Sequence, residues 1–333
     1  MASLAVDLKL VFVGDVMLGR LVNDALERVS AEYPWGDTTA IFRQADWRAC
    51  NLECVISDRG TPWGMTPKEF HFRSDGKNVA VLKAAGIDAV SIANNHTLDY
   101  EYEAMFEMLE ILDKEHIARA GAGVDLVEAS APAISDVKGS KIGLIAFTDN
   151  EPEWAATLAR AGTFYVPTRA DDQGAQRLLE AVRQTKEKVG FLVVSAHWGP
   201  NWGYRPPAEH IRFGRLLIDA GADIIFGHSG HVFRGVEVYK RRPIMYCAGN
   251  FVDDYAVDEI ERNDQSFIFV VDIRGGCIRG IGLYPTVIAD FQARLAQDRE
   301  AREIAFKMKE LCSRLKTPAE WRENEHCLEI SIA

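Results

Sequence analysis

The sequence has few cysteines, no long apolar run and no ordered signal-peptide regions. Six cysteines in 333 residues are too few for a disulfide framework, so we predict that all six are small core residues. Nowhere do about 18 apolar residues run together, so we expect no membrane span. The amino terminus shows no basic region, apolar stretch and small-residue cleavage site in that order. The expected location is therefore the cytoplasm.

Positive charge is also in deficit. Lysine and arginine total 38 against 49 acidic residues, which gives a net charge of −11. A phosphate backbone would repel this surplus, and the basic residues form no local cluster that could overcome it. We therefore predict no nucleic-acid partner. The apolar content of 47% is too high for a disordered chain, and the length is sufficient for a large core.

Short apolar runs alternate with amphipathic segments over the first two thirds of the chain. Runs rich in valine and isoleucine are typical of strands covered on both faces. Apolar residues spaced i, i+3, i+4, i+7 predict helices over 105–112 and 213–220, each with one face on a sheet. The alternation indicates an α/β architecture with crossover connections. The predicted strands lie at residues 10–13, 88–93, 141–147, 191–196 and 222–226.

After residue 235 the pattern changes to strands without intervening helices. Gly275-Gly276 predicts a hairpin turn into a strand over 278–287, and residues 292–315 form a charged amphipathic helix pattern before a polar tail. There is no internal repeat and no linker. We therefore predict one domain over residues 8–290, with the C-terminal helix and tail, residues 291–333, packed on the same domain.

Side chains with metal-ligand chemistry stand at five predicted strand ends. In α/β sheets, ligands bind outside the carboxyl ends of the strands, where the loops converge. A lone histidine at such a place is usually structural, but five coincidences predict one shared site. The residues are Asp15, Glu53, Asn95 with His96, His197, and the pair His228 and His231.

The ordered motifs at these ends resemble a known family. They are Gly14-Asp15-Val-Met-Leu-Gly-Arg20, Asn51-Leu-Glu53, Ala93-Asn-Asn-His96, His197-Trp-Gly199, Gly227-His228-Ser-Gly-His231 and Gly249-Asn-Phe251. The set resembles the CapA proteins associated with poly-γ-glutamate capsule synthesis, a branch of the calcineurin-like metallophosphatases. The resemblance spans residues 8 to about 290. It implies an α/β fold, a four-layer α/β/β/α sandwich, with two metal ions at one edge.

The resemblance also implies a role for each matching residue. His96 corresponds to the family's proton donor, and Asp99 could orient its imidazole, although a solvated surface position for Asp99 is an equal reading. Glu53 takes the place of the bridging aspartate, one methylene longer. The implied metal ligands are Asp15, Glu53, Asn95, His197, His228 and His231.

The donor set limits the metal. Carboxylate, amide and imidazole ligands suit Mn²⁺, Fe or Zn²⁺, and the lack of thiolate argues against a structural zinc site. Two such ions lie roughly 3.5–4 Å apart and need a bridging carboxylate, for which Glu53 is the candidate. The sequence departs from the superfamily pattern, because Met17 replaces the first-motif histidine and one extra residue separates His228 from His231. The first site could therefore take a harder ion such as Ca²⁺ or Mg²⁺.

Five further residues are candidates for substrate binding. Arg20 could pair with a phosphate or carboxylate, or form a plain surface salt bridge. Trp198 and Trp202 follow His197 in a loop that could contact a peptide or polymer, or simply cover the sheet edge. Asn250 and Asp254 follow a further strand end, where they are expected to line the pocket.

Three functions remain open from the sequence. The first is a metal-dependent hydrolase acting on a phosphoester or on an amide of a glutamate polymer. The second is a metal-dependent peptide epimerase, in which His96 with His197 or Asp254 would move the α-proton. The third is a non-catalytic accessory that binds polyglutamate or the synthesis machinery. We prefer hydrolysis, with a small-molecule or peptide/polyglutamate substrate, because a water-activating site with a separate proton donor serves it directly.

Overall fold

The computed structural model describes residues 6–332. The strands are β1 (Leu8–Val16), β2 (Trp47–Leu52), β3 (Val55–Ile56), β4 (Arg73–Ser74), β5 (Ala89–Ser91), β6 (Ala118–Ala120), β7 (Ala122–Gly123), β8 (Ala133–Val137), β9 (Ser140–Thr148), β10 (Gly162–Thr163), β11 (Phe191–His197), β12 (Ile224–His228), β13 (Val236–Tyr239), β14 (Arg242–Met245), β15 (Asn250–Val252), β16 (Gln265–Arg274), β17 (Cys277–Ala289), β18 (Gln292–Leu295), β19 (Glu320–Arg322) and β20 (Cys327–Ser331). The helices are α1 (Arg20–Leu26), α2 (Thr39–Phe42), α3 (Val79–Ala84), α4 (Glu101–Lys114), α5 (Leu126–Ala129), α6 (Gln173–Lys186), α7 (Ala208–Ala220) and α8 (Asp298–Arg314).

Two large sheets organise these elements. The larger runs in the order β19-β20-β17-β16-β1-β2-β5-β6, and β15 and β18 pair with β1 and β17 at its sides. The second runs in the order β13-β14-β12-β11-β9-β8. Strands β1, β2, β5 and β6 are parallel, as are β9, β11, β12 and β14. The five predicted apolar runs each overlap a strand, namely β1, β5, β9, β11 or β12, so those strand predictions are confirmed, although β5 is shorter than predicted and β12 begins two residues later.

The period-two pattern of β1 explains how the sheets stack. Leu10 and Phe12 face the space between the two sheets, where the ring centroids of Phe12 and Phe226 lie 5.3 Å apart. Val11 and Val13 face the other side, because successive residues of a strand point to opposite faces. Both faces of the larger sheet therefore carry apolar side chains at β1, as the continuous hydrophobic run in the sequence predicted.

Helices cover the outer surfaces of both sheets. Met105 and Met108 of α4 pack in the cluster that holds the outward side chains of β1. Leu178 of α6 and Leu217 of α7 pack on the outward residues of the second sheet. The layers are thus helix, sheet, sheet, helix, and the predicted four-layer α/β/β/α sandwich is confirmed.

The C-terminal segment differs in detail from the sequence prediction. The helix begins at Asp298, not at residue 292, because residues 292–295 pair with β17 as strand β18. Ile304 and Met308 of the helix lie in the core between the sheets. The tail, predicted to be polar, contains β20, which pairs with β17 and buries Leu328 and Ile330.

The cysteine prediction is wrong at one position. Cys50, Cys54, Cys247, Cys312 and Cys327 are buried, whereas Cys277 is exposed. Cys277 begins β17 directly after the Gly275-Gly276 hairpin turn, whose residues both have positive φ. A turn of this kind projects into solvent, so its neighbour is exposed.

Candidate metal centre

The polar residues that follow the parallel strands meet at one edge of the sandwich. Asp15 near the end of β1 lies in register with Asn51 of β2. His197 at the end of β11 lies in register with His228 at the end of β12. The carboxyl ends of both sheets therefore face the same region, as the topology of parallel α/β sheets predicts.

Three buried side chains form the tightest group at this edge. One ligand atom from each of Asp15, His197 and His228 lies within 4.8 Å of the other two. The Nδ1 atoms of His197 and His228 are 2.8 Å apart, and Nδ1 of His228 is 3.9 Å from Oδ1 of Asp15. A carboxylate and two imidazoles at this spacing are a donor set that Mn²⁺, Fe or Zn²⁺ can use.

The electrostatics of this group fit a cation. Burial raises the pKa of Asp15 to about 7 and lowers that of His228 to about 3. Burial, with the nearby His228, also brings the pKa of His197 well below its usual value. The imidazoles are therefore neutral and keep a free nitrogen lone pair. Within the described residues Oδ2 of Asp15 is buried and has no hydrogen-bond partner, so an oxygen remains available to an ion.

Glu53 adjoins the group. Its Oε2 lies 3.6 Å from Nδ1 of His197, and its Oε1 lies 3.8 Å from Nε2 of His96. The amide nitrogen of Asn51 donates hydrogen bonds to the carboxylates of both Asp15 and Glu53. Burial, with the charge of Asp15, raises the pKa of Glu53 well above its ordinary value. Two buried carboxylates close together are unfavourable without a compensating positive charge.

The loop after β5 brings Asn95 to the same place. Oδ1 of Asn95 lies 2.8 Å from Nε2 of His197. Nδ2 of Asn94 donates to Oδ1 of Asn51 at 3.0 Å and to the carbonyl oxygen of Leu52 at 2.7 Å, which ties this loop to the end of β2. Asn95 thus stands beside the histidine pair with its oxygen facing inward.

His96 and Asp99 form a buried pair beside the group. Nδ1 of His96 lies 2.5 Å from Oδ2 of Asp99, which also accepts a hydrogen bond from the backbone N–H of Phe72 at 2.6 Å. The ring of Phe72 stacks on the imidazole with centroids 4.0 Å apart. Asp99 is fully buried, so the solvated alternative for this residue is wrong. Burial lowers the pKa of His96, and the charge of Asp99 opposes that shift.

His231 lies outside the tightest group. Its Nδ1 is 3.1 Å from Oδ1 of Asn250, and its ring contacts those of Trp202 and Tyr255 at centroid distances of 5.6 and 5.3 Å. Asn250 is fully buried, and its Nδ2 donates to the carbonyl oxygen of Asn263. The expectation that Asn250 lines the pocket is therefore wrong, because its side chain is enclosed and holds His231.

A cavity of about 580 Å³ opens beside this site. Its wall contains aromatic rings together with basic side chains, so it could hold a ligand that has both an apolar part and an anionic group. Among the residues that form the wall are Phe72, Trp202, Tyr255, Arg20, Lys68 and His96.

Arg20 is held in the wall of the cavity by Asp254. Nε and Nη2 of Arg20 donate to the two carboxylate oxygens of Asp254 at 3.0 and 2.5 Å. The guanidinium also lies over the rings of Phe72 and Tyr255, at 5.1 and 5.7 Å from their centroids. The Asp254 side chain is fully buried behind this contact, so the expectation that it lines the pocket is wrong, since Arg20 covers it.

The two tryptophans predicted to bind substrate have different positions. Trp202 lines the cavity and is 46% exposed. Trp198 is fully buried, stacks on His210 at 4.7 Å and donates from Nε1 to the carbonyl oxygen of Tyr246. The prediction of a substrate contact is therefore wrong for Trp198, because its side chain belongs to the core between β11 and α7.

Four residues at the site received no functional role from the sequence. Ser195 lies with its Oγ 2.7 Å from Nε2 of His228, and Asn51 joins the two carboxylates. Strand alternation could have found both, since they stand two residues before His197 and Glu53 and so share their faces. Lys68 and Tyr255 lie in loops, and no periodic signal marks them.

Comparisons with known proteins agree with these motifs. A family model described as "Bacterial capsule synthesis protein PGA_cap" matches residues 9–255. A "Probable polyglutamine synthesis accessory protein" of Mycobacterium tuberculosis is 33% identical over 250 residues, which cover 73% of this chain and 65% of that protein. The "PGA biosynthesis protein CapA" of Bacillus subtilis is 32% identical over 245 residues, covering 73% and 62%. The chain therefore spans less than two thirds of the length of these relatives.

A solved structure shares the fold. The crystal structure of a "Putative 5'-Nucleotidase" from Staphylococcus aureus in complex with alpha-ketoglutarate has a TM-score of 0.52 and 13% identity, covering 93% of this chain and 58% of that chain. At this identity the likeness concerns the fold alone, which is that of the calcineurin-like metallophosphatases. None of the helices within residues 6–332 combines the length and apolar character needed to cross a membrane.

Proposed function

Since the chain belongs to the bacterial capsule synthesis protein PGA_cap family, we propose that it is a divalent-metal-dependent hydrolase of a phosphoester or of an amide in a glutamate polymer. The observation that carries this proposal is the buried group of Asp15, His197 and His228 beside the His96–Asp99 pair, at the edge of the cavity. The glutamate polymer is included as a substrate because of the names of the relatives.

The same residues define which side chains would hold the metal. Asp15, His197 and His228 would bind an ion directly, with Glu53 and Asn95 as further ligands of a pair of ions. His231, which lies outside the tightest group, would be a further ligand. Mn²⁺, Fe and Zn²⁺ match these donors best. When bound, such ions supply Lewis acidity and activate water at neutral pH.

The chain's own residues would bind the substrate and move the proton. Arg20 would pair with an anionic group of the substrate, since its guanidinium is fixed by Asp254 in the cavity wall. Asp99 accepts a hydrogen bond from Nδ1 of His96, so Nε2, which lies 3.2 Å from Nδ2 of Asn95, is the nitrogen that would donate a proton to the leaving group. Trp202 and Phe72 would cover the reacting atoms from bulk water.

Hydrolysis is preferred to epimerisation for a specific reason. An epimerase needs two proton carriers on opposite faces of the α-carbon, and the second carriers considered were His197 and Asp254. His197 lies in the ligand group, and both carboxylate oxygens of Asp254 are engaged by Arg20. Neither is free to take a proton from a substrate.

The test is turnover by purified protein loaded in turn with Mn²⁺, Fe²⁺, Zn²⁺, Mg²⁺ and Ca²⁺. The substrates are an aryl phosphate and a γ-glutamyl anilide, and poly-γ-glutamate serves as the polymer arm. We expect release of the chromophore with at least one metal, loss of that activity in Asp15→Asn, and retention in Asp219→Asn, a matched change at a surface aspartate that pairs with Lys240. Absence of turnover on all three substrates with every metal would overturn the proposal.

A further inference from the structure

Lys68 is a buried cation at the edge of the candidate metal centre. It lies in the loop joining β3 to β4, and its side chain is only 7% exposed. Burying a lysine is unfavourable unless its ammonium group is paired and hydrogen-bonded. The contacts of Lys68 therefore show which neighbouring groups its positive charge stabilises.

On one side, Lys68 contacts the segment that carries His96, residues 95–99. Nζ of Lys68 donates to the backbone oxygen of Asn95 at 2.6 Å and lies 3.3 Å from Oδ1 of Asp99. Oδ2 of Asp99 already receives the hydrogen bonds from His96 and Phe72, and within residues 6–332 Oδ1 accepts no hydrogen bond. Lys68 is thus the ionic partner of the second carboxylate oxygen.

The other side of Lys68 is fixed by the second sheet. Nζ lies 3.4 Å from Oε1 of Glu151 and 4.8 Å from the centre of the Trp154 ring. Both residues follow β9, whereas Asn95 and Asp99 follow β5 of the first sheet. The ammonium group is therefore held at the wall of the cavity, between a loop of the first sheet and a loop of the second.

We propose that Lys68 is a positioning residue that fixes the His96–Asp99 pair, so that Nε2 of His96 faces Glu53 and the substrate. The inference rests on the proposed hydrolytic function, in which His96 protonates the leaving group. Without Lys68, Asp99 would keep its contacts to His96 and Phe72 but lose the cation that anchors its other oxygen, and the peptide after Asn95 would lose its donor.

The first test is the leaving-group dependence of Lys68→Met, which keeps an unbranched stem against Trp154. Outer-shell partners that orient metal-binding side chains are typically worth about 10–100-fold in metal affinity or activity, and we expect the same order for a partner that orients the His96–Asp99 pair. We expect kcat to fall by about that factor for an alkyl phosphate, whose leaving group needs a proton, and far less for a nitrophenyl phosphate. KM and metal content should change little, Lys68→Arg should recover part of kcat, and Lys83→Met, which removes a surface lysine paired with Glu115, should be unchanged. An equal loss on both substrates would overturn the proposal.

A double-mutant cycle gives a second test. If Lys68 acts through Asp99, Lys68→Met should have little further effect on kcat in an Asp99→Asn background. If the loss of kcat in the double variant equals the product of the two single losses, Lys68 acts independently of Asp99, which contradicts the proposal.

A third readout does not need activity. The Nδ1 proton of His96, hydrogen-bonded to a carboxylate, should give a low-field NMR resonance in the wild-type protein. We expect it to disappear in Asp99→Asn and to shift or broaden in Lys68→Met, but not in Lys83→Met. If the wild-type protein turns over no substrate, the proposed function fails, whereas an unchanged resonance in Lys68→Met defeats the positioning role itself.

Discussion

Oδ2 of Asp99 lies 2.5 Å from Nδ1 of His96, and the ring of Phe72 stacks on a face of the His96 imidazole, with the ring centroids 4.0 Å apart. The imidazole is therefore fixed both in its plane and against rotation. Its remaining nitrogen, Nε2, lies 3.8 Å from Oε1 of Glu53. A histidine held in this way can transfer a proton from one defined atom, which is the geometry a general acid requires.

The first prediction concerns His96. General acid catalysis typically contributes about 10²–10⁴-fold, so His96→Asn should lower kcat by that order on a substrate with a poor leaving group. Metal content, measured by elemental analysis, should stay at the wild-type level. His116→Asn is the control, because His116 is exposed and has a positive φ that asparagine tolerates. Loss of metal together with activity would instead identify His96 as a ligand.

The second prediction concerns Ser195, which is 2.7 Å from Nε2 of His228. If Nε2–H of the imidazole donates to the serine oxygen, Nδ1 is left free to bind an ion. Ser195→Ala should therefore weaken Mn²⁺ binding by about 10–100-fold in calorimetric titration, with an unchanged fold by circular dichroism.

The control for that titration is Ser91→Ala. Ser91 is also a buried strand serine, but its hydroxyl has no hydrogen-bond partner in the part of the chain that the structure describes. Its removal should leave the Mn²⁺ affinity unchanged. Equal affinities for both serine variants and the wild type would show that His228 does not need Ser195.

The third prediction concerns Tyr255. Its ring lines the cavity, whereas its hydroxyl is buried and finds no hydrogen-bond partner among residues 6–332. Burial, with the charge of Glu53, raises the pKa of Tyr255, so the phenol stays neutral and can donate. Tyr255→Phe should leave the free energy of unfolding unchanged or raise it by up to about 1 kcal/mol, because an unpaired buried hydroxyl is unfavourable. If the hydroxyl donates to the bound ligand, turnover should fall by about 10-fold, because one hydrogen bond is worth about 1–1.5 kcal/mol.

Urea denaturation and steady-state kinetics on the same preparations decide the role of this hydroxyl. A loss of stability with unchanged turnover would contradict a role in ligand binding, since the hydroxyl would then stabilise the fold. A gain in stability with reduced turnover would indicate that the group is kept for its interaction with the ligand.

The sequence pattern predicts the α/β architecture and one shared site at the strand ends, whereas the four layers were implied only by the resemblance to the CapA proteins. Parallel strands buried on both faces appear as continuous apolar runs, and their carboxyl ends bring Asp15, His197 and His228 together. Chain order alone therefore locates side chains that are more than 180 residues apart (Asp15 and His197, for instance) at one edge.

Trp198 shows where this reasoning fails. It directly follows His197, and neighbouring residues at a strand end point to opposite faces, so His197 enters the site while Trp198 enters the core on the helix side. Lys68 and Tyr255 were not predicted to lie at the site, for another reason. They lie in loops without periodicity, and tertiary contacts alone set their positions.

The fourth prediction concerns the pH dependence of stability and Asp253. Burial raises the pKa of this carboxyl from 3.8 to about 8, and its Oδ2 lacks a hydrogen-bond partner in the described chain. Between about pH 4 and pH 8 the folded protein therefore holds a proton that the unfolded chain has released, so stability falls as pH rises through this window. Asp253→Asn removes that proton linkage and keeps an oxygen to accept from the backbone N–H of Tyr255.

Urea unfolding of the metal-free proteins at pH 5 and pH 7, with a chelator present, measures this linkage. From pH 5 to pH 7, the free energy of unfolding of the variant minus that of the wild type should increase by about 1–3 kcal/mol. Each pH unit inside the window is worth at most about 1.4 kcal/mol. Any contribution of the asparagine that does not depend on pH cancels, because only the change with pH is compared. A difference that stays constant from pH 5 to pH 7 would mean that Asp253 is ionised in the folded protein, so that Arg20, the nearby cation, offsets the effect of burial.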